Sequence, residues 1–320
     1  MYRILCFLFF LSYSPVICFS FSNSTKLCPH HQNVALLRLK QLFSIDVSAS
    51  SSDDCNLASF AKTDTWKEGT NCCSWDGVTC NRVTGLVIGL DLSCSGLYGT
   101  IDSNSSLFLL PHLRRLNLAF NDFNKSSISD KFGQFRRMTH LNLSFSGFSG
   151  VIAPEISHLS NLVSLDLSIY SGLGLETSSF IALLKPNEVA ETSSTRFPDD
   201  DLQLPNLKVL KLKGNHDLSG NFPKFNESNS MLLLDLSSTN FSGELPSSIG
   251  ILNSLESLDL SFTNFSGELP NSIGSLKSLE SLDLSSTKFS GELPSSIGSL
   301  KSLEVWISRT AISQVPFPRC

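Results

Sequence analysis

Apolar residues return at a fixed spacing along most of this chain. In the copy that opens at Leu255, Leu258 and Leu260 are separated by a single residue, as side chains on one face of a β-strand are. The apolar spacing then widens and is punctuated by Gly267 and Pro270, which suits a chain that turns and comes back. The pattern therefore predicts that each repeat is one coil, with its apolar side chains pointing inward.

The repeats are close copies of one another. The segment from Glu256 to Leu279 is followed directly by a near duplicate from Glu280 to Leu303. One coil alone cannot bury its apolar face, whereas stacked coils share a continuous core, so we predict a single elongated solenoid. The two segments differ only at Phe262/Ser286, Asn264/Lys288 and Asn271/Ser295. Repeat openings can be identified at Val87, Leu113, Met138, Leu162, Leu207, Met231, Leu255, Leu279 and Leu303.

The repeat LESLDLSFTNFSGELPNSIGSL resembles the plant-type leucine-rich repeat, L-x-x-L-x-L-x-x-N-x-L-x-G-x-I-P-x-x-I/L-G-x-L. That resemblance implies an α/β repeat solenoid, a right-handed superhelix with a parallel β-sheet on its concave face. We expect the repeats at 85–303, with an irregular segment at 170–204 where the period breaks and a degenerate, uncapped tail at 304–320. The irregular segment is either a looped-out insertion or the scar of lost repeats, and we favour the scar.

The first residues predict the route of the chain through the cell. The segment MYRILCFLFFLSYSPVICFS carries an early positive charge at Arg3 and then an apolar run broken by Ser12 and Pro15. This arrangement is typical of a secretory signal peptide, which we place at 1–21, with an N-terminal cap of the repeats at 22–84. No later stretch offers about 18 uncharged apolar residues, so we expect no membrane span in the chain.

The cysteines indicate a covalently stapled cap. Most of the 9 cysteines lie between Cys28 and Cys94, in a chain predicted to enter an oxidising compartment. Disulfides are favoured over a zinc site, because no histidine pair follows the cysteines at ligand spacing. The segment TWKEGTNCCSWDGVTC resembles the cap of plant extracellular leucine-rich-repeat proteins, which implies the bridges Cys28–Cys72 and Cys73–Cys80. Cys55–Cys94 is our guess for a third bridge, which leaves Cys320 unpaired.

The cap is expected to begin with a helix and to end in a seal for the first coil. Trp66 and Trp75 are large enough to cover the open end of the repeat core. The residues spaced for an amphipathic helix are Val34, Leu37, Leu39, Leu42 and Phe43.

The residues that alternate with the strand leucines face outward on the concave side of such a solenoid. Counted from the opening residue of each coil, these are positions 3, 5 and 7, with positions 2 and 8 at the margin. They form the predicted ligand-binding surface. The candidate ligand-binding residues are Arg114, Arg115, Asn117, His140, Lys208, Lys211, Lys213, Asp235, Asp259 and Asp283. Phenylalanines at position 8 add aromatic area at the margin: Phe120, Phe145 and Phe262.

These candidates differ in how specifically they indicate a ligand. Aspartate at position 5 is the consensus of this repeat class, LDLS, so a row of aspartates is expected without any ligand. The lysines depart from that consensus and are stronger candidates. Arg114 and Arg115 are weaker, because long basic side chains commonly decorate solvated strands.

Position 9 of each coil predicts how neighbouring coils are joined inside. In this repeat class an asparagine there points inward and bonds backbone groups along the stack. The chain has Asn121 and Asn215 at this position but Thr239, Thr263 and Thr287 in the late coils. A hydroxyl donates one proton where an amide donates two, so we expect fewer bonds between late coils.

Charge and sequons narrow the range of partners. The formal net charge is -5 and no basic run occurs, which argues against a nucleic-acid partner. In a secreted chain, N-x-S/T sequons are candidate glycosylation sites. They lie at Asn23, Asn104, Asn124, Asn142, Asn226, Asn240 and Asn264. Asn142 is also a position 5 residue, so a glycan there would cover part of the concave face.

The sequence offers no motif of catalysis. It contains no G-x-S-x-G, G-x-x-x-x-G-K, H-E-x-x-H or G-x-G-x-x-G. We therefore predict that the protein is not an enzyme and has no cofactor and no metal site.

The cap, the stretch SNSSLFLLPHLRRLNLAFNDFN and the LDLSSTNFSGELP repeats together resemble plant receptor-like proteins of the disease-resistance type, covering the N-terminal part of their ectodomain. The resemblance implies a protein or peptide ligand on the concave face and a receptor kinase as co-receptor, in defence or developmental signalling. It places the chain in the secretory pathway, at the outer side of the plasma membrane or free in the apoplast. The alternatives are a secreted inhibitor resembling polygalacturonase-inhibiting proteins, and a truncated product without independent function.

Overall fold

The computed structural model describes residues 27–50, 55, 61–150, 154–169, 204–223, 225 and 230–308. The predicted signal peptide, nearly all of the irregular segment, the end of the predicted tail and the sequons at Asn23 and Asn226 lie outside these residues.

The cap begins with helix α1, His30–Lys40, followed by strands β1, Phe43–Ile45, and β2, Val78–Cys80. Between and beside them lie short 3-10 helices at Val47–Ser50, Lys62–Thr65 and Cys72–Ser74. The ammonium of Lys40 donates to the carbonyl oxygen of Thr63 at 2.7 Å, which ties the end of the helix to the next loop.

The predicted apolar face of the helix is right in part: Leu39 is fully buried, and Leu37 packs half-buried against the core. Leu42 lies beyond the end of α1 and is exposed, and Phe43 belongs to β1. Val34 and Leu37 are only half-buried. The face that meets the first coil follows the i, i+3, i+4, i+7 rule from a polar residue, and consists of Gln32, Ala35, Leu36 and Leu39. The side-chain carbonyl oxygen of Gln32 accepts from the amide of Val87 at 2.8 Å, whereas its side-chain nitrogen is buried without a hydrogen-bond partner among the described residues.

The repeats build a 10-stranded sheet in which the repeat strands run parallel to one another, as predicted. β2 pairs antiparallel with the first repeat strand. The repeat strands are β3, Val87–Asp91; β5, Arg115–Asn117; β6, His140–Asn142; β7, Ser164–Asp166; β8, Val209–Lys211; β10, Leu233–Asp235; β12, Ser257–Asp259; β14, Ser281–Asp283; and β16, Val305–Ile307.

The return segments carry shorter elements. A 4-stranded sheet joins β9, Ser219–Gly220; β11, Asn240–Glu244; β13, Asn264–Gly267; and β15, Lys288–Phe289. The remaining strand, β4, Leu97–Gly99, pairs antiparallel with β1 of the cap. Each helical part of a described repeat is a single 3-10 segment: Ser106–Leu109, Asp130–Gln134, Pro154–His158, Ser247–Ile251, Asn271–Ser275 and Ser295–Ser299.

One continuous apolar core runs through the stack. The position 4 leucines, such as Leu234, Leu258 and Leu282, are paired in register from strand to strand and are fully buried. On the other side of each coil the rings of Phe241, Phe265 and Phe289 follow one another with centroids 6.4 Å apart. A shared core of this kind is what lets coils too small to fold alone hold together.

The inward residues at position 9 join the coils as predicted. The amide nitrogen of Asn121 donates to Leu92 of the preceding coil at 2.8 Å, and its oxygen accepts from the Leu97 amide at 3.0 Å. In the late coils, by contrast, the hydroxyl of Thr263 donates to Leu260 of its own coil. Since a hydroxyl has one proton, that donation leaves none for the preceding coil.

Strand pairing continues past the predicted end of the repeats at Leu303. β16 lies parallel to β14, with Trp306 opposite Leu282. Val305 and Ile307 on the same strand are 45% and 42% exposed.

Candidate recognition surface

Within the described residues, three disulfides staple the cap, and one of them, Cys55–Cys94, joins it to the first coil. They join Cys28 to Cys72, Cys55 to Cys94 and Cys73 to Cys80, with Cα–Cα distances of 5.6, 5.6 and 5.4 Å. Cys28–Cys72 and Cys73–Cys80 are the bridges that the family resemblance implies, and Cys55–Cys94 is the guessed third bridge. The indole rings of Trp66 and Trp75 stack with centroids 5.5 Å apart and are buried in the same core as the first repeat.

The cap also places sulfur atoms close together. Among the described residues, the sulfurs of Cys28, Cys72 and Cys73 lie within 4.8 Å of one another. All three belong to disulfides, so none is available as a thiolate, the form in which cysteine binds metal.

A row of outward side chains at position 5 follows the concave sheet. Neighbouring strands pair these residues directly, for example Asn117 with Asn142 and Asp259 with Asp283. The full row is Asp91, Asn117, Asn142, Asp166, Lys211, Asp235, Asp259, Asp283 and Ile307. The sheet therefore brings the predicted position 5 candidates into one line.

Most of these acidic and amide side chains accept a hydrogen bond from their own coil. The oxygen Oδ1 of Asp235 accepts from the amide of Ser237 at 2.9 Å, and Asp259 and Asp283 accept in the same way from the residue two places on. Asn117 and Asn142 do the same. The bond forms an Asx turn that ends the strand, which explains the aspartate consensus without a ligand.

The three late aspartates, Asp235, Asp259 and Asp283, form what we call the aspartate row. Burial raises the pKa of Asp259, and the negative charges of Asp235 and Asp283 on the two flanking strands raise it further. Hydrogen bonds from Ser261 act in the opposite direction but do not cancel this effect. The aspartate row is thus a place where an added positive charge would relieve repulsion.

Lys211 interrupts the line of acids. Its ammonium lies 4.0 Å from Oδ2 of Asp166 on one side, and its strand pairs with that of Asp235 on the other. Lys208 and Lys213 of the same coil are exposed. Of the three predicted lysines, the structure therefore pairs one with an acid of the surface and leaves two facing solvent.

The early part of the face carries the positive charges of Arg114 and Arg115. Arg115 and His140 are exposed residues directly opposite each other on β5 and β6. Burial lowers the pKa of His140, and the positive charge of Arg115 lowers it further. Arg114, at position 2, is exposed beside them. The concave face therefore changes from positive at β5 to negative at β14.

The phenylalanines at position 8 form two different arrangements. The rings of Phe120 and Phe145 stack with centroids 5.1 Å apart and an interplanar angle of 24°. Phe262 is 63% exposed, and the neighbouring coils carry Ser238 and Ser286 at this position.

An ion pair that the sequence did not suggest connects the cap to the position 5 row. The ammonium of Lys62 lies 2.8 Å from Oδ1 of Asp91. Burial alone would raise the pKa of Asp91, but hydrogen bonds from Lys62 and Ser93 outweigh it and hold the pKa below its usual value. Lys62 begins a 3-10 helix of the cap, outside the repeats, so no repeat position could have identified it.

The described sequons differ in accessibility. Asn104, Asn124 and Asn240 are exposed. Asn264 is half-buried and its amide donates to the side-chain oxygen of Asn240 in the preceding coil. Asn142 is half-buried on β6 of the concave sheet. Glycosylation of any of them stays a prediction.

A leucine-rich-repeat family model and curated plant proteins match this chain. A model described as "Leucine-rich repeat region" matches residues 192–316. The chain is 39% identical over 280 residues to Receptor-like protein 6 of Arabidopsis thaliana, covering 73% of this chain and 28% of that protein. It is 35% identical over 271 residues to Receptor-like protein Cf-9 of Solanum pimpinellifolium, covering 73% of this chain and 31% of that protein.

Solved structures show the same fold. The Plant peptide hormone receptor RGFR1 in complex with RGF2 aligns with a TM-score of 0.55 and 29% identity, over 75% of this chain and 38% of that one. The ectodomain of the receptor kinase GASSHO1/SCHENGEN3 from Arabidopsis thaliana aligns with a TM-score of 0.58 and 22% identity, over 86% of this chain and 29% of that one.

The coiled fold and these matches make the chain a leucine-rich-repeat protein. Its curated relatives identify it further as a homologue of the plant receptor-like proteins, and it spans less than a third of the length of the two named above. Within the described residues, no helix is both long and apolar enough to cross a membrane.

Proposed function

We propose that the chain is an extracellular recognition module that binds a protein or peptide ligand through the concave face of its repeats, in defence or developmental signalling. The observation that carries this proposal is the register of the main sheet. It lines up outward side chains in two adjacent rows, with Arg115 at position 3 of an early coil and the aspartate row at position 5 of the late coils, so the charge of the face changes along the stack.

Two further facts support binding rather than catalysis. The face is an extended line of side chains on successive strands, and the relatives are named as receptor-like proteins. The solved structure that is 29% identical to this chain is that of a receptor bound to a peptide hormone. A receptor kinase as co-receptor and a location at the outer face of the plasma membrane belong to the same proposal.

A selection experiment tests the proposal. The chain is secreted from eukaryotic cells, so that the cap disulfides form, and a displayed library of random linear peptides is selected for binding. Affinity for the enriched peptide is then measured for the variants Arg115→Gln and Asp259→Asn. Asn is chosen because Asn117 and Asn142 make the same turn at position 5.

The matched control variants are Arg137→Gln and Glu292→Gln, which remove exposed charges outside the strands. We expect at least one concave variant to weaken binding by about 3- to 10-fold, the effect of one partly exposed charge pair, while the controls bind as the wild type does. Binding that is weakened by the controls and not by the concave variants would overturn the proposal.

A further inference from the structure

Phe262 is a large apolar side chain that the fold leaves outside its core. It is 63% exposed, and its φ of 55° lies in the left-handed region that bulky residues rarely adopt. Its amide donates to the carbonyl oxygen of Ser285 in the next coil at 2.9 Å. The backbone here is therefore fixed by the bond between coils, and the exposed ring adds little to the stability of the fold.

The coils on both sides of Phe262 have the same left-handed backbone at position 8 but carry a small residue there. Ser238 and Ser286 have φ values of 55° and 56°, and the amide of Ser238 donates to Ser261 at 2.8 Å. Position 8 thus has one geometry in all three coils. Because serine satisfies it on either side, the geometry does not require an aromatic residue at Phe262.

The early coils show what fits beside a ring at this position. Phe120 and Phe145 occupy position 8 of adjacent coils, have the same left-handed backbone and stack with centroids 5.1 Å apart. A flat group therefore fits against a position 8 ring at the spacing of adjacent coils. Within the described residues, no such ring contact is made by Phe262, whose neighbours along the stack are serines.

A carboxylate lies three residues before Phe262 in the same coil. Phe262 follows Asp259 in the same coil, just past the Asx turn, and Asp259 is the middle member of the aspartate row. Burial and the two flanking carboxylates already disfavour its negative charge, so a cation brought to this surface would be attracted.

One side chain combines a flat face with a positive charge. The guanidinium of arginine is planar, stacks on aromatic rings and pairs with carboxylates, whereas the ammonium of lysine supplies only the charge. Resting on the proposed binding function of the concave face, we infer that the rim at Phe262 receives an arginine of the ligand, which stacks on the ring while its charge faces the aspartate row.

The test uses the peptides selected from the random library in the experiment above. We expect the enriched peptides to contain arginine more often than lysine. A double-mutant cycle then combines wild type or Phe262→Ser with the enriched peptide or its counterpart in which arginine is replaced by lysine. Phe262→Ser gives the coil the residue of both its neighbours, so folding is retained, and thermal melting confirms this.

On the wild-type chain we expect the replacement of arginine by lysine to weaken binding about 10-fold, because lysine keeps the charge but lacks the planar group that stacks on the ring. On the Phe262→Ser chain the loss should be clearly smaller, because only the pairing of arginine with the carboxylates remains to be lost. Equal losses on both chains, or selected peptides without an arginine preference, overturn this inference while leaving the concave-face function intact. Selected binding that ignores Arg115 and Asp259 altogether overturns both.

Discussion

The coils near the cap and the coils near β14 are joined in different ways. The early stack has Asn121, which bonds to two coils at once, and a stacked pair of rings at its margin. The late stack has threonines that bond within their own coil, and at its margin an exposed ring between two serines. Strand pairing and the leucine core therefore suffice to stack coils, and the inward amide adds hydrogen bonds between particular coils.

The largest effect should come from breaking the early junction. In Asn121→Ala the buried amides of Ser95 and Leu97 and the carbonyl of Leu92 lose their partner. Each unsatisfied buried group costs about 1–3 kcal/mol, so we expect a loss of about 3–5 kcal/mol in the free energy of unfolding. Urea titration followed by circular dichroism measures it.

The matched change in the late stack is Thr263→Ala, which removes one donation to Leu260 of the same coil. A loss of about 1 kcal/mol is expected, the net value of one hydrogen bond. If the two alanine variants were equally destabilised, the contrast between early and late junctions would be disproved.

A second change tests the common geometry of position 8. In the coil that opens at Leu207 this position is Gly214, with φ of 82°, and a Cβ atom there would overlap the carbonyl oxygen of Ile169. Gly214→Ser, although it introduces the late-coil residue, should cost about 2–3 kcal/mol through forced displacement of the backbone.

Phe262→Ser serves as the comparison, because serine already occupies the neighbouring positions without such a contact. Thermal melting of the two variants distinguishes them. A Gly214→Ser chain as stable as the wild type would show that position 8 tolerates side chains in every coil.

The smallest effect concerns the aspartate row and depends on pH. Because the pKa of Asp259 is raised in the folded chain, its negative charge disfavours folding at neutral pH, and this penalty disappears as the carboxyl group becomes protonated. Asp259→Asn keeps the Asx turn and removes the charge. We expect it to raise the melting temperature slightly at pH 7.

The difference should shrink as the pH falls through the raised pKa and below the ordinary value of 3.8. Glu292→Gln, an exposed carboxylate outside the sheet, is the control and should show no such trend. A difference between Asp259→Asn and wild type that grows on acidification contradicts the sign of the effect.

Much of this architecture can be predicted from sequence, because a repeated pattern reports the same inward and outward positions many times. The buried leucines, the line of position 5 residues and the weaker junction at Thr263 all follow from repeat position alone. The cap is less predictable. The inward face of α1 includes Gln32, and Lys62 reaches Asp91 from a short 3-10 helix of the cap. Each of these two features depends on a contact that occurs once in the cap, whereas a repeat position occurs in many coils.

The location of the recognition surface can be predicted from the sequence, whereas the contacts made by its side chains are harder to predict. Sequence position identified the outward residues, yet it could not show that the aspartates end their strands through Asx turns or that Lys211 is paired with Asp166. It also could not distinguish the stacked Phe120 and Phe145 from the exposed Phe262, since that difference depends on which residue the adjacent coil places alongside.

The central claim is that ligand occupies the concave side, and hydroxyl-radical footprinting of the complex with a selected peptide tests it most directly. We expect Phe262 at the rim and Leu233 on the sheet to become protected on binding. Leu109, which is 55% exposed in a 3-10 helix of a return segment, should react as before. Protection of Leu109 with unchanged reactivity of Phe262 and Leu233 would contradict the claim.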